Sequence, residues 1–146
     1  MSDIKDILSK YKNIAMIGVS NDPTKASTIV MKYMQKYGFK VFPVNPKAKG
    51  QKILGEEVFE KITDIKDIVD IVDVFRPSRE VLDIAKDTIS IGAKVLWLQL
   101  GIKNEEAKKL VEQNNIKYVY DKCTKMEYQK HFLKVRQAFP VLQDQN

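Results

Sequence analysis

The sequence predicts an α/β protein, a three-layer doubly wound fold on a five-stranded parallel sheet. Five short apolar runs rich in Val and Ile recur along the chain. Between most of them lie stretches whose apolar residues repeat at helical spacing. Strands buried on both faces read as near-continuous apolar runs. Their alternation with helices implies parallel pairing through right-handed crossovers.

In chain order, the expected strands are residues 13–18, 39–44, 69–75, 94–98 and 116–120. A helix over 24–37 is carried by Ile29, Val30, Tyr33, Met34 and Tyr37, all spaced for one face. Val81, Leu82, Ala85 and Ile89 predict a second over 78–91, and Ala107, Leu110 and Val111 a third over 104–114. Asp22 before Pro23, Ser78 and Asn104 are the expected caps. Gly38, Gly92 and Gly101 punctuate the elements. A short helix is expected at 3–11 and a closing one near 124–138. Residues 47–61 read as a loop with a helical turn around Glu57–Lys61, and the tail, Gln143 to Asn146, as frayed.

The length of 146 residues suits one domain spanning 1–146. Cys123 is the only cysteine, so no intrachain disulfide can form and a reducing compartment is expected. The first residues lack the pattern of a secretory signal, and no apolar run approaches the roughly 20 residues of a membrane span. A cytoplasmic protein without a membrane partner is therefore expected. The net charge of +6 comes from lysines interleaved with acids, with Arg only at positions 76, 79 and 136. Such a pattern reads as a solvated surface, which argues against a nucleic-acid partner.

In an open parallel sheet, ligands bind beyond the carboxyl ends of the strands. After the first strand, Gly18 allows close backbone approach, the following helix start offers N–H groups, and Ser20, Thr24, Lys25 and Ser27 add donors. The loop is read either as a phosphate site or as a plain turn made by Gly18 with a local cap at Ser20. After the second strand come Asn45, Pro46 and Lys47, where a domain for unphosphorylated NAD keeps an acid. An ammonium there attracts a further ribose phosphate, which selects NADP or coenzyme A. Lys47 as one more surface lysine is the competing reading.

Arg76, leaving the third strand, is a candidate for forked hydrogen bonding to phosphate or carbonyl. Gln99 is expected to point out of the fourth strand's end. Asp73 reads as a hydrogen-bonded structural acid and Trp97 as core, with adenine stacking the lesser alternative. Cys123 reads as a buried hydrophobe or as a thiol that pairs with a ligand's thiol.

These residues resemble the CoA-binding domain family of small bacterial proteins. The segments that carry the resemblance are 17–20, 38–47, 54–56, 70–76, 97–101 and 121–123, within roughly residues 10–131. The family is similar to the nucleotide-binding domain of the succinyl-CoA synthetase alpha subunit, a Rossmann-like fold. The resemblance implies coenzyme A as ligand, with its pyrophosphate near Gly18, Ser20 and Lys25; Val19 and Ser27 are further candidate contacts. It implies the adenosine end near Asn45, Pro46 and Lys47, and the pantetheine arm past Phe75 and Arg76. Gln99 and Cys123 match family motif positions. Two departures stand out: residues 21–27 hold less glycine and arginine than the family's loop, and the sole histidine, His131, lies beyond the fifth strand.

The leading expectation is a non-catalytic module that binds CoA or an acyl-CoA, with no catalytic residue and no metal site. The alternatives are an NADP-dependent reductase, a CoA-thiol or disulfide-handling enzyme using Cys123, and an interaction protein with a vestigial pocket. A homodimer stays open, and a reductase of this size would need one to complete a substrate site.

Overall fold

A computed structural model of the chain describes residues 3–134. In chain order it contains α1 (Asp3–Lys10), β1 (Asn13–Ile17), α2 (Ala26–Lys36), β2 (Lys40–Val44), β3 (Lys52–Ile53), β4 (Glu56–Glu57), β5 (Ile71–Val74), α3 (Val81–Ser90), β6 (Val95–Leu98), α4 (Glu105–Gln113), β7 (Lys117–Val119) and α5 (Thr124–Tyr128). Five strands form one parallel sheet in the order β2-β1-β5-β6-β7. The five predicted strands are those five. The remaining pair, β3 and β4, makes a small antiparallel hairpin.

Side-chain alternation divides the sheet's two faces into two cores. On one face Ile14, Met16, Ile71, Val95 and Trp97 pack with Ile7 of α1 and Met31 of α2. On the other, Ala15, Ile17, Val72, Val74 and Leu96 pack with Ala85 of α3 and Val111 of α4. Every residue of β5 and β6 is buried, which is why β6 reads as an unbroken apolar run, and β5 as one interrupted only by Asp73, rather than as alternating strands. Trp97 is fully buried, and its indole N–H donates to the Lys122 carbonyl at 2.8 Å. It is a core residue, and its ring does not reach solvent for stacking.

Local signals held where no long-range partner competed. Asn104 caps α4, accepting from the Ala107 N–H at 2.9 Å. Asp22 does not cap α2. Its carboxylate is taken by the Thr24 N–H at 2.9 Å and hydroxyl at 2.7 Å, and the helix starts later, at Ala26, behind Lys25. Ser78 does not cap α3 either. It opens a 3-10 turn, Ser78–Glu80, and its hydroxyl accepts from the Lys103 N–H at 3.2 Å.

The expected helical turn around 57–61 is extended chain instead. Phe59 bridges Val44 in parallel, its N–H and C=O bonding Pro43 and Asn45 at 3.0 and 2.9 Å. Its ring meets Phe42 edge-on, so sheet pairing overrides local propensity. The 3-10 turns fall on either side, at Pro46–Ala48 and Ile62–Asp64. The closing helix is α5 followed by a π turn, Gln129–Leu133; the expected helix beyond 134 and the expected frayed tail lie outside the described residues.

Chain order reverses direction across the sheet between β1 and β5. This is the switch point where an open α/β sheet leaves a crevice. Gly18 sits there with φ +93°, and a Cβ built on it would meet Arg76 Cδ at 3.0 Å and the Phe75 carbonyl at 3.1 Å. Only glycine takes this conformation and this contact without displacement. Gly18→Ala is expected to lower stability by roughly 1–3 kcal/mol in urea denaturation. Gly38→Ala, at φ +92° with nothing within 4 Å of the added carbon, is expected to cost less.

Candidate functional site

At the switch point a crevice of about 310 Å³ opens between the strand ends and α3. Ile17 and Val44, the last residues of β1 and β2, face Ile62 and Ile84 across it. Gly18, Asn45, Pro46, Lys47 and Arg76 form the rim. Glu80, at the end of the 3-10 turn that leads into α3, and Ile84 and Asp87 of α3 follow i, i+4, i+7 spacing along the lining, and Glu60 and Lys61 complete it.

Asn45 organises the rim from both ends of its amide. Its Oδ1 accepts from the Lys47 N–H at 3.0 Å and its Nδ2 donates to the Val19 carbonyl at 2.9 Å. The side chain thus ties the β2 loop to the β1 loop and sets where Lys47 starts. The Lys47 ammonium makes no ion pair among the described residues and stands exposed at the crevice mouth.

Arg76 is already engaged. Its Nε and Nη2 donate to the two Glu80 oxygens at 3.0 and 2.7 Å. The pair holds the guanidinium further above its ordinary range and the Glu80 carboxyl below its own. Two of five donors are used, so the fork keeps further N–H groups for an anion. Across the crevice Glu60 pairs with Lys49 at 3.3 Å. Basic and acidic lining residues are equal in number, so the attraction for anions is local to the Lys47 and Arg76 rim.

Of the residues singled out in the sequence, Gly18, Asn45, Pro46, Lys47 and Arg76 line the crevice. The others do not. Val19 is fully buried, its carbonyl taken by Asn45. Ser20 and Ser27 stitch the β1 loop: the Ser20 N–H donates to Ser27 Oγ at 3.2 Å, and the Asp22 N–H to Ser20 Oγ at 3.0 Å. Lys25 is exposed at the start of α2. Phe75 and Cys123 pack partly buried against the core on the other face of the sheet.

Gln99, expected to point out of the strand end, turns inward. At 5% exposure it donates to Asp73 Oδ1 at 2.5 Å and to the Thr124 hydroxyl at 3.2 Å. The Thr124 hydroxyl in turn donates to Asp73 Oδ2 at 3.1 Å. The reason is Asp73, a fully buried carboxyl within β5 that requires partners. Burial pushes Asp73 up to about 7, against the pull of its Gln99 and Thr124 hydrogen bonds. Burial also pushes the Cys123 thiol up, outweighing backbone hydrogen bonds from Met126 and Lys125. A thiol so placed is a poor thiolate nucleophile.

Sequence reasoning missed Glu60, Lys61, Ile62, Glu80, Ile84 and Asp87. The stripe on α3 was legible as i, i+4, i+7 spacing, but nothing local reveals that residues 60–62 return to the crevice. Among the described residues, no helix is long and apolar enough to cross a membrane, and no His, Cys, Asp and Glu cluster could hold a metal.

The family described as CoA binding domain matches residues 12–129. The chain is 34% identical over 127 residues to the uncharacterized protein YneT of Bacillus subtilis, which is 87% of this chain and 93% of that protein. It is similar to the structure of a hypothetical protein from Pyrococcus horikoshii OT3, with a TM-score of 0.84 at 35% identity over 88% of this chain and 89% of that one. It is also similar to part of the dinucleotide forming acetyl-coenzyme A synthetase 1 of Ca. Korarchaeum cryptofilum, solved with phosphate and ADP. There the TM-score is 0.66 at 25% identity, over 81% of this chain and 27% of that one.

Two outcomes follow from this geometry. Asn45→Ala should cost roughly 1–2 kcal/mol of stability, read by urea denaturation, because both loops lose their tie. Asp73 keeps its proton up to about pH 7 when folded, whereas its ordinary value is 3.8, so folding takes up a proton between these limits. Stability should therefore fall as pH rises from about 4 to about 7 and level off above. In Asp73→Asn this slope should disappear, with a gain on the order of 2–4 kcal/mol at pH 8.

Proposed function

This chain belongs to the CoA binding domain family, and on that premise we propose that it binds coenzyme A or an acyl-CoA in the crevice at the switch point. The observation that carries the reading is the rim itself. An exposed ammonium, Lys47, follows β2 where NAD domains keep an acid, on a loop that Asn45 ties to the Val19 carbonyl. A ribose carrying its own phosphate is attracted to that corner, and one with two free hydroxyls finds no carboxylate there to accept from them.

The fit to CoA rests on three features. The apolar walls of Ile17, Val44, Ile62 and Ile84 suit a purine ring, and about 310 Å³ is room for the nucleoside end but not for the whole ligand. The close approach of Gly18 leaves backbone, not side chain, facing a pyrophosphate. Lys25 and the N-terminus of the 11-residue helix α2 add positive potential beside it. The pantetheine arm then runs past Phe75 and Arg76.

In this reading the whole chain, 1–146, is one domain that holds the ligand and performs no chemistry on it. Two of the three crevice carboxylates are neutralised by Arg76 and Lys49, and Cys123 carries a thiol raised by burial. Neither group is prepared as a base or nucleophile. The similarity to part of a synthetase that forms acetyl-coenzyme A supports a CoA-related role.

Calorimetric titration tests the proposal with CoA, dephospho-CoA, NADP and NAD. CoA should bind most tightly, and Lys47→Glu should weaken it roughly tenfold or more while changing dephospho-CoA affinity less. No heat at millimolar CoA, or binding of NADP in its place, would sink the assignment.

A further inference from the structure

Arg76 is fixed at two places along its side chain. Its Cδ lies 3.0 Å from the point where a Cβ on Gly18 would stand, so the stem rests on the side of Gly18 that carries no side chain. Beyond the stem, Glu80 takes one edge of the guanidinium, Oε1 accepting from Nε at 3.0 Å and Oε2 from Nη2 at 2.7 Å. A second edge is formed by Nη1 and the remaining N–H of Nη2. No group among the described residues accepts from it. That edge offers the same fork to a phosphate.

Glu80 is itself braced from a distance. It ends the turn Ser78–Glu80, whose first residue is tied twice to the start of α4. The Ser78 carbonyl accepts from Asn104 Nδ2 at 3.0 Å, and its hydroxyl from the Lys103 N–H at 3.2 Å. The Glu80 N–H donates to the Pro77 carbonyl at 2.9 Å, and the Pro77 ring restricts its own φ, here −56°. The span from Arg76 to Glu80 is thus closed by the fork and held in place by α4.

Charge alone would give Glu80 an adverse role, since a carboxylate beside an anion site repels the ligand. Geometry gives it the opposite one. An arginine free on its stem gives up rotamers when it closes on an anion, and that entropy opposes binding. With the stem on Gly18 and one edge on Glu80, the loss has already occurred in folding.

We propose that Glu80 is a positioning residue for ligand binding, which holds the Arg76 fork by one edge so that the other is aligned in advance for a phosphate of the ligand. The inference rests on the reading that CoA occupies this crevice, and it adds why a carboxylate stands beside the arginine of an anion site.

Glu80→Asp separates reach from charge. It keeps the carboxylate but shortens the side chain by one methylene, so its oxygens no longer meet Nε and Nη2 together. Calorimetric titration of the full chain with CoA compares wild type, Glu80→Asp, Arg76→Lys and the double variant, with a thermal melt of each. Glu80→Asp should bind CoA roughly two- to tenfold more weakly, the worth of ordering one long side chain. In the Arg76→Lys background, where a point charge has no fork to align, the same change should alter affinity by less than about twofold. If Glu80→Asp is unfolded at the titration temperature, Glu80→Gln takes its place. That variant keeps the length, and weaker binding supports the proposal although a negative charge has been removed.

Binding as tight as wild type, or tighter, in the variant titrated overturns the proposal. So does an equal loss in both backgrounds, which would give Glu80 a role apart from Arg76. Either result leaves CoA binding standing. Absence of CoA binding by the wild type removes the proposed function and this inference together.

Discussion

The contact on which the site depends is the close approach of two chain segments at the reversal point of the sheet. There the backbone leaving β1 lies against the carbonyl of Phe75 and the side chain of Arg76, with no room for a Cβ. The approach is permitted because residue 18 has no side chain and takes a backbone conformation closed to others at low cost. It brings the first and third strands of the sheet, in chain order, into register to their last residues: the Phe75 N–H donates to the Ile17 carbonyl at 2.9 Å, while on the other side of β1 the Gly18 N–H donates to the Val44 carbonyl of β2 at 2.8 Å. The crevice is the space left when the chain turns opposite ways from these two strands.

Around that contact the polar groups are divided between the two faces of the sheet, with different consequences. On the α3 side they border solvent, where Arg76 pairs with Glu80 and Lys49 with Glu60, and Lys47, Lys61 and Asp87 make no ion pair among the described residues. On the α5 side Asp73, Gln99 and Thr124 satisfy each other in the core, tying β5 and β6 to the start of α5. The same residue types thus do opposite work. Exposed and unpaired, a charge is available to a ligand; enclosed, a carboxyl holds its proton and serves as a structural joint.

Membership of the CoA binding domain family accounts for the strand ends without accounting for all that surrounds them. The β1 loop illustrates this. The hydroxyls of Ser20 and Ser27, attractive as phosphate ligands when read in a line, are hydrogen-bond acceptors for the loop's own N–H groups. Asn45 is similar: its amide is spent on positioning neighbours, so its part in the site is to hold Lys47 in relation to the β1 loop at Val19.

Elements whose burial is uniform were legible from the chain alone. The strands β1, β2, β5 and β6 announce themselves as apolar runs, and Asn104 marks the start of α4, because burial on two faces and a local cap both leave their signature within a few residues, while the edge strand β7, with Lys117 exposed, was legible from its Ile, Tyr and Val content. Gly18, Lys47 and Arg76 could be placed at the rim because strand ends are where parallel sheets bind. The direction of Gln99, the extended course of residues 58–59, and the return of Lys61 and Ile62 to the crevice were decided only in three dimensions. Each depends on a partner distant in sequence, Asp73 for the first and the edge of β2 for the others, and a preference of about 1 kcal/mol in the local chain yields to a buried hydrogen bond or a sheet ladder.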